Sequence, residues 1–323
     1  MMVSARIQKV PLSQVDLDKP LVAVPAVPAP ALLMEALREV GMLCLPWLRL
    51  QEDGRLQVVT GLKRLRGAAQ LGWKTVTART LPPETPDSQC LLIHIYDNAG
   101  ARGFNLAEQA FLVSRVLAFW DRQTVVTKFL PYLGQAPSVA LLERLLSLAG
   151  LEEPFQELAA RGRLALTAAA FLAQWAPEDR VAALPFLGQF HWSQSKQEEL
   201  LEGIDLLARR EGVGPREIFS QSELQQCLDK SAGLPGEGAE ALRRRLQRRF
   251  SPRFSAAREA FQVALGRLGL KQHPRLRLKP PPAFEGPDFY LEIKFRDAPE
   301  LLKLLDELSR KVKQEEFSEM TDL

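Results

Sequence analysis

The sequence predicts an α+β protein that is mostly helical: a mixed α+β region first, an all-helical region in the middle and a small α+β region at the end. Three observations predict it. Short β-branched runs alternate with helical runs over the first hundred residues. From 106 to 211, Leu- and Ala-rich stretches are punctuated by Gly134, Pro137, Gly150, Gly162, Pro177 and Gly188, with no strand pattern between them. After Pro280-Pro281-Pro282, one strand pattern is followed by one leucine-striped helix. At 323 residues the length suits two or three domains, and we place them at 1–105, 106–230 and 231–323.

In the first region, residues 21–30 carry Pro25, Pro28 and Pro30 and read as an extended linker. Residues 31–40 read as a helix burying Leu32, Leu33, Ala36, Leu37 and Val40, with Gly41 ending it. Residues 47–50 and 56–60 read as strands joined by Gln51-Glu52-Asp53-Gly54, since Asp-Gly supplies the positive φ of a tight turn. A helix follows from Gly61 to Leu71, then a strand at 75–79. A further helix opens near Pro86 with Asp87 or Ser88 as its cap.

In the middle region, residues 124–133, Gly134 and a second helix from Pro137 to Ala149 have helix-turn-helix dimensions. The last region holds twelve basic and three acidic residues between Gly236 and Pro280, an excess of nine that could grip a polyanion. An arginine-covered helix packed by Leu242, Leu246 and Phe250 explains the same pattern equally well. Residues 289–295 read as a strand and 299–313 as a helix striped by Leu301, Leu302, Leu304, Leu305 and Leu308. The acidic tail from Gln314 is expected to fray.

Composition is that of an ordinary globular protein, 46% hydrophobic, 25% charged and 7% aromatic, with a net charge of +3. That balance does not by itself imply nucleic acid. Cys44, Cys90 and Cys227 are far apart and form no CxxC, which favours a reducing, cytoplasmic compartment without structural zinc. No apolar run reaches the roughly 18–20 residues of a membrane span, so no membrane partner is expected. Metalloprotease, nucleophile-elbow and dinucleotide motifs are absent, and His94, His191 and His273 are read as ordinary interfacial or surface histidines. The run from Gly67 to Thr75 misses a P-loop because Trp73 separates Gly72 from Lys74 and helix precedes strand.

One corner points to chemistry. In Thr60-Gly61-Leu62-Lys63-Arg64-Leu65-Arg66 a strand ends on glycine and a helix begins with three cations in its first two turns. Free N–H donors at a helix start favour an anion, while cations there are otherwise unfavourable, so a phosphate is the natural guest. A solvated basic face is the other reading of these residues.

These residues belong to a wider resemblance, from about Gln8 to Val213, to ParB-type partition proteins. The family reads Gly-Glu-Arg-Arg-x-Arg-Ala where this chain has Gly61-Leu62-Lys63-Arg64-Leu65-Arg66-Gly67. Its Glu-Asn-x-Gln-Arg-x-x-Leu-Asn-Pro-x-Glu-x-Ala block aligns without gaps with 97–110, which begins Asp97-Asn98-Ala99-Gly100-Ala101-Arg102 and runs through Asn105 and Glu108. The opening Ile-x-x-Val-Pro-Leu-Ser-Gln-Val-Asp-Leu-Asp and the helix ending Glu39-Val40-Gly41 keep the family order. Arg144-Leu145-Leu146-Ser147-Leu148 resembles the end of its recognition helix.

The resemblance implies a ParB/sulfiredoxin-like fold at 1–105 and helix-turn-helix DNA binding at 106–230. It implies CTP held by Gly61, Lys63, Arg64, Arg66 and Asn98, with Mg2+ near Asp97 and Asn98. It also implies a homodimer, a partner ATPase and a place on the nucleoid, in chromosome or plasmid partition or in transcriptional regulation. On that resemblance DNA would be met by Gln135, Ser138 and Arg144; Arg244 and Arg248 are expected to meet it on the charge of the basic segment alone, which lies beyond the resemblance. The departures are Leu62 for Glu, Lys63 for Arg, Asp97 for Glu and Gly100-Ala101 for Gln-Arg, so the expectation is nucleotide binding with at most weak CTP hydrolysis. Sulfiredoxin activity is excluded, because 61–64 contain no cysteine. Two other readings use the same pocket: a kinase- or nuclease-like enzyme with Asp97 as its acid/base group, and an interaction scaffold that binds no nucleotide.

Overall fold

A computed structural model describes residues 4–23, 31–100, 102–230, 235–250, 252–281, 284, 286 and 288–321. The proline run Pro25, Pro28 and Pro30 lies outside the described residues, as do Ala101 and Pro282. The chain forms two compact units, Met1–Leu201 and Glu202–Leu323.

The first unit opens with β1 (Arg6–Pro11), a 3-10 turn at Leu12–Gln14, β2 (Val15–Asp16), α1 (Ala31–Glu39), β3 (Trp47–Leu50), β4 (Leu56–Thr60), α2 (Leu62–Gln70), β5 (Thr75–Leu81) and α3 (Asp87–Ala99). The strands make one mixed sheet in the order β1-β5-β3-β4-β2. Strand β1 runs antiparallel to β5, from Arg6 opposite Thr80 to Pro11 opposite Thr75. Pro11 sits at the end of this edge strand, where a missing N–H costs no ladder bond. Strand β3 pairs parallel with β5 and antiparallel with β4, through the expected turn in which Gly54 has φ 81°. Val10, Leu48, Leu56, Val58, Val76 and Ala78 of the sheet and Leu65 and Ala68 of α2 form its core.

Two local expectations are corrected here. Helix α1 buries Leu37 but leaves Leu32 and Val40 exposed. It packs on α2 at Gly67, where a Cβ would come within 2.7 Å of Leu37 Cδ1. Helix α3 is not capped by Asp87 or Ser88: its N-cap is Pro86, and Asp87 in the first turn pairs instead with Arg49 at 2.7 Å.

The rest of this unit is helical, as expected: α4 (Leu106–Val116), α5 (Arg122–Thr124), a π-helical turn at Val125–Phe129, α6 (Leu130–Tyr132), α7 (Val139–Ala149), α8 (Glu153–Ala160), α9 (Leu166–Leu172), α10 (Pro177–Val181), α11 (Leu184–Gln189) and α12 (Gln194–Glu211), which runs on past the unit boundary. Leu112, Leu142, Leu145, Leu148, Phe155 and Leu172 are fully buried. The first helix of the expected helix-turn-helix runs without interruption from Arg122 to Tyr132, with the π-helical turn inside it. The second begins at Val139 rather than Pro137, because Ser138 is extended and its hydroxyl accepts from the Leu141 N–H at 3.3 Å.

The second unit continues with α13 (Pro215–Ser220), α14 (Ser222–Lys230), α15 (Pro235–Phe250), α16 (Pro252–Arg267), β6 (Leu276–Lys279), β7 (Tyr290–Ile293), α17 (Ala298–Val312) and α18 (Glu315–Thr321). Phe261, Leu265, Leu268, Leu276, Leu304 and Met320 build a small core with Phe284, Phe289 and Phe317 around it. Burial of Met320 and Phe317 explains why the tail is helical where fraying was expected. Strand β6 pairs antiparallel with β7, Leu276 opposite Ile293. Leu242 and Leu246 of α15 are buried, and Phe250 lies against Gly203. Several arginines of the basic run are used inside this unit: Arg245 donates to the Glu223 carbonyl, Arg249 pairs with Glu211 and Gln221, and Arg248 pairs with Glu259.

Candidate functional site

Strand β4 delivers Thr60 and Gly61 to the start of α2. Gly61 is the N-cap at φ 90°, and no side chain caps the helix, so the first-turn N–H groups of α2 lack intrahelical partners. A Cβ on Gly61 would lie 2.8 Å from Pro46 Cβ and 3.1 Å from its Cα. Both the left-handed φ and this backbone approach require glycine.

Helix α3 brings the second block to the same corner. Thr60, fully buried, donates its hydroxyl to Asp97 Oδ2 at 2.7 Å. Arg64 Nη2 lies 3.7 Å from that oxygen, while Nη1 donates to the Cys44 carbonyl. Asn98 Nδ2 donates to the His94 carbonyl at 2.8 Å and to Thr60 Oγ1 at 3.4 Å, and Asn98 Oδ1 accepts from Arg102 Nε at 3.0 Å. The Arg102 guanidinium then makes two 2.8 Å bonds to Glu108. Glu108 closes a capping box with Asn105 at the start of α4, accepting from the Asn105 N–H at 3.0 Å while Asn105 Oδ1 accepts from the Glu108 N–H at 2.9 Å.

Charge in the corner is set by these contacts. Burial pushes the Glu108 carboxyl up, but the bonds from Arg102, the Asn105 N–H and the nearby charge of Lys63 outweigh it and hold Glu108 below the usual glutamate range. Burial also holds His94 below the usual histidine range, so its ring is neutral at pH 7. His94 Nδ1 lies 2.7 Å from the Val59 carbonyl, and its Nε2 is buried without a partner among the described residues. The expectation of an interfacial or surface histidine is corrected at this position: His94 is 8% exposed and belongs to the corner.

The expected nucleotide residues divide, with Lys63 near enough to Glu108 for its charge to lower that carboxyl. Gly61, Arg64, Asp97 and Asn98 come together. Arg66 turns aside and donates to the Leu17 carbonyl at 3.0 Å. An open cleft of about 300 Å³ borders Leu62 and Arg66, but Asp18 and Glu153 also line it, which makes it a poor place for a phosphate. The sequence reading did not single out Thr60, His94, Arg102 and Glu108. The Asn105-x-x-Glu108 capping signature was the available signal for Glu108, and the i, i+4 spacing of His94, Asn98 and Arg102 was the signal for the other two.

The expected DNA residues are more dispersed. Gln135 donates to Gln109 Oε1 at 3.0 Å, Ser138 caps α7 and Arg144 is exposed on α7. Neighbouring Glu143 pairs with Arg122. Arg244 and Arg248, in the second unit, form exposed pairs with Glu240 and Glu259. Such pairs contribute little to stability, and an incoming phosphate can replace the carboxylate.

No protein-family model and no curated protein matches the sequence. Among solved structures, the chain is similar to the C-terminally truncated chromosome-partitioning protein ParB from Caulobacter crescentus complexed to the centromeric parS site, at 21% identity over 65% of this chain and 95% of that one, with a TM-score of 0.33. The truncated Caulobacter crescentus ParB complexed with CTP-gamma-S gives 23% identity over 56% and 98%, with a TM-score of 0.25. A Pnob8-like ParB-N domain gives 13% identity over 75% and 94%, with a TM-score of 0.39. Among the described residues, no helix is long and apolar enough to cross a membrane.

Proposed function

We propose that this chain is a ParB-like DNA-binding protein whose Gly61 corner binds a nucleoside triphosphate, CTP by resemblance, and couples it to the helix-turn-helix segment. One observation carries the reading. The two sequence blocks that resemble the family, 61–67 and 97–110, meet at Asp97, which accepts from Thr60, the residue before the first block, at 2.7 Å and lies 3.7 Å from Arg64. Orphan N–H groups behind the Gly61 N-cap, with Lys63 and Arg64 in the first turn, form an anion site by ordinary helix-terminus physics. Helix α3 also bears Tyr96, whose ring packs edge-on against Tyr132 of α6 at 4.9 Å, so the helix carrying Asp97 and Asn98 touches the helical region directly.

In this reading Gly61, Lys63, Arg64 and Asn98 serve the nucleotide, with Arg66 at its margin. Arg144, with Gln135 and Ser138 nearby on the helix-turn-helix segment, and Arg244 and Arg248 on the second unit serve DNA, chiefly through phosphates. The domains are those read from the sequence, acting in a homodimer with a partner ATPase in partition or transcriptional control. A dedicated enzyme fits less well, because Asp97, the acid/base candidate, already takes the Thr60 hydroxyl and faces Arg64.

Calorimetric titration with CTP, ATP and GTP tests the proposal. Saturable binding that prefers CTP, weakened at least tenfold in the Lys63→Ala/Arg64→Ala chain, is the expected result. Absence of binding of any nucleotide at millimolar concentration contradicts it and leaves the scaffold reading.

A further inference from the structure

We infer that a triphosphate at this corner is held without a protein-bound divalent cation, with the Arg64 guanidinium standing where the resemblance places magnesium. The inference deepens the proposed nucleotide reading and rests on it. Magnesium demands near-octahedral oxygen ligation at about 2.0–2.1 Å, so the protein must offer oxygens that are free to turn toward it. Of the oxygens on the two expected ligands, only Asp97 Oδ1 has no hydrogen bond or ion pair among the described residues, and it belongs to a carboxylate whose other oxygen is already engaged. Asp97 Oδ2 accepts from Thr60 at 2.7 Å and faces Arg64 Nη2 at 3.7 Å. Asn98 is buried with both ends of its amide engaged, Nδ2 on the His94 carbonyl and Oδ1 on Arg102 Nε.

Freeing Asn98 Oδ1 would require Arg102 to move, and Arg102 is fixed by two bonds to buried Glu108, whose own carboxylate holds the α4 cap. Among the described residues no group of three or more His, Cys, Asp or Glu could hold a metal ion instead. A dication beside Asp97 would also meet the Arg64 guanidinium, 3.7 Å from Asp97 Oδ2, a like charge that opposes it. The Arg64 guanidinium suits a polyphosphate instead. A guanidinium offers several N–H donors in a plane and keeps its charge at any working pH, so it can neutralise phosphate without metal. The shorter side chain of Asp97 agrees with this arrangement, since it ends on Thr60.

Calorimetry of the full chain with CTP, once in magnesium chloride and once in EDTA, tests the inference. The expected result is binding in both buffers with dissociation constants within threefold of each other. Binding in magnesium that weakens more than tenfold in EDTA overturns the inference and leaves the nucleotide reading intact. No binding in either buffer overturns both.

Discussion

Gly61→Ala lowers the stability of the first unit by about 2–5 kcal/mol and removes nucleotide binding with it. Placing an L side chain at φ 90° costs about 1–2 kcal/mol. Forcing its Cβ to 2.8 Å from Pro46 adds an overpacking cost of about 1–3 kcal/mol, because the neighbour is a proline ring joined to backbone rather than the end of a flexible chain. Relief would have to come from moving the start of α2, and that start is where the orphan N–H groups and Arg64 are held. Denaturant midpoints for the two chains give the first number. If Gly61→Ala matched the parent in stability, the strained, close-packed N-cap would be wrong.

Arg102→Ala has the second largest effect, and it depends on pH with a sign that identifies its cause. Removing the guanidinium leaves Glu108, 5% exposed, without its two charged bonds. Breaking a fully buried pair costs about 3–5 kcal/mol. The Arg102 side chain is 39% exposed, so solvent screening reduces the expectation to about 2–3 kcal/mol at pH 7. In the parent, the folded-state pKa of Glu108 is lowered. Its contribution is therefore present above the unfolded glutamate value near 4.3 and is lost as pH falls further. In the variant, burial is left with less to oppose it and favours the protonated acid, so the penalty is greatest at neutral pH and shrinks as pH falls toward about 4. His94 titrates in both chains, and its lowered pKa makes each less stable as pH drops below about 6.5. Denaturant unfolding at pH 7 and pH 4.5 separates the two: the gap between parent and variant narrows at the lower pH. A pH-independent gap would assign the loss to Arg102 packing on Phe104 instead.

How much of this was legible depended on whether the deciding partners were local. The β3–turn–β4 hairpin could be read from Asp53-Gly54, and the corner from Gly61 followed by Lys63 and Arg64, because turn chemistry and helix-start chemistry act within a few residues. Periodicity reports which residues share a face, whereas exposure depends on what covers it; Leu32 and Val40 have the spacing of the α1 stripe and remain exposed. The π-turn at Val125–Phe129 leaves no signature in apolar spacing.

Long-range polar pairing hid the rest. A charge excess in the 236–280 segment cannot show that Arg249 meets Glu211 or that Arg245 meets the Glu223 carbonyl, 38 and 22 residues away. Nor does the linear order say that Thr60 and Arg64 meet Asp97 or that Arg102 meets Asn98.

The central claim is that one ligand engages both blocks of the corner at once. Hydrogen–deuterium exchange of the full chain with and without saturating CTP tests it most directly, since exchange reports backbone protection segment by segment. The account predicts slowed exchange in two separate stretches together, the first turn of α2 after Gly61 and the end of α3 through Asn105. Protection confined to other segments, or no change in either stretch, would contradict it.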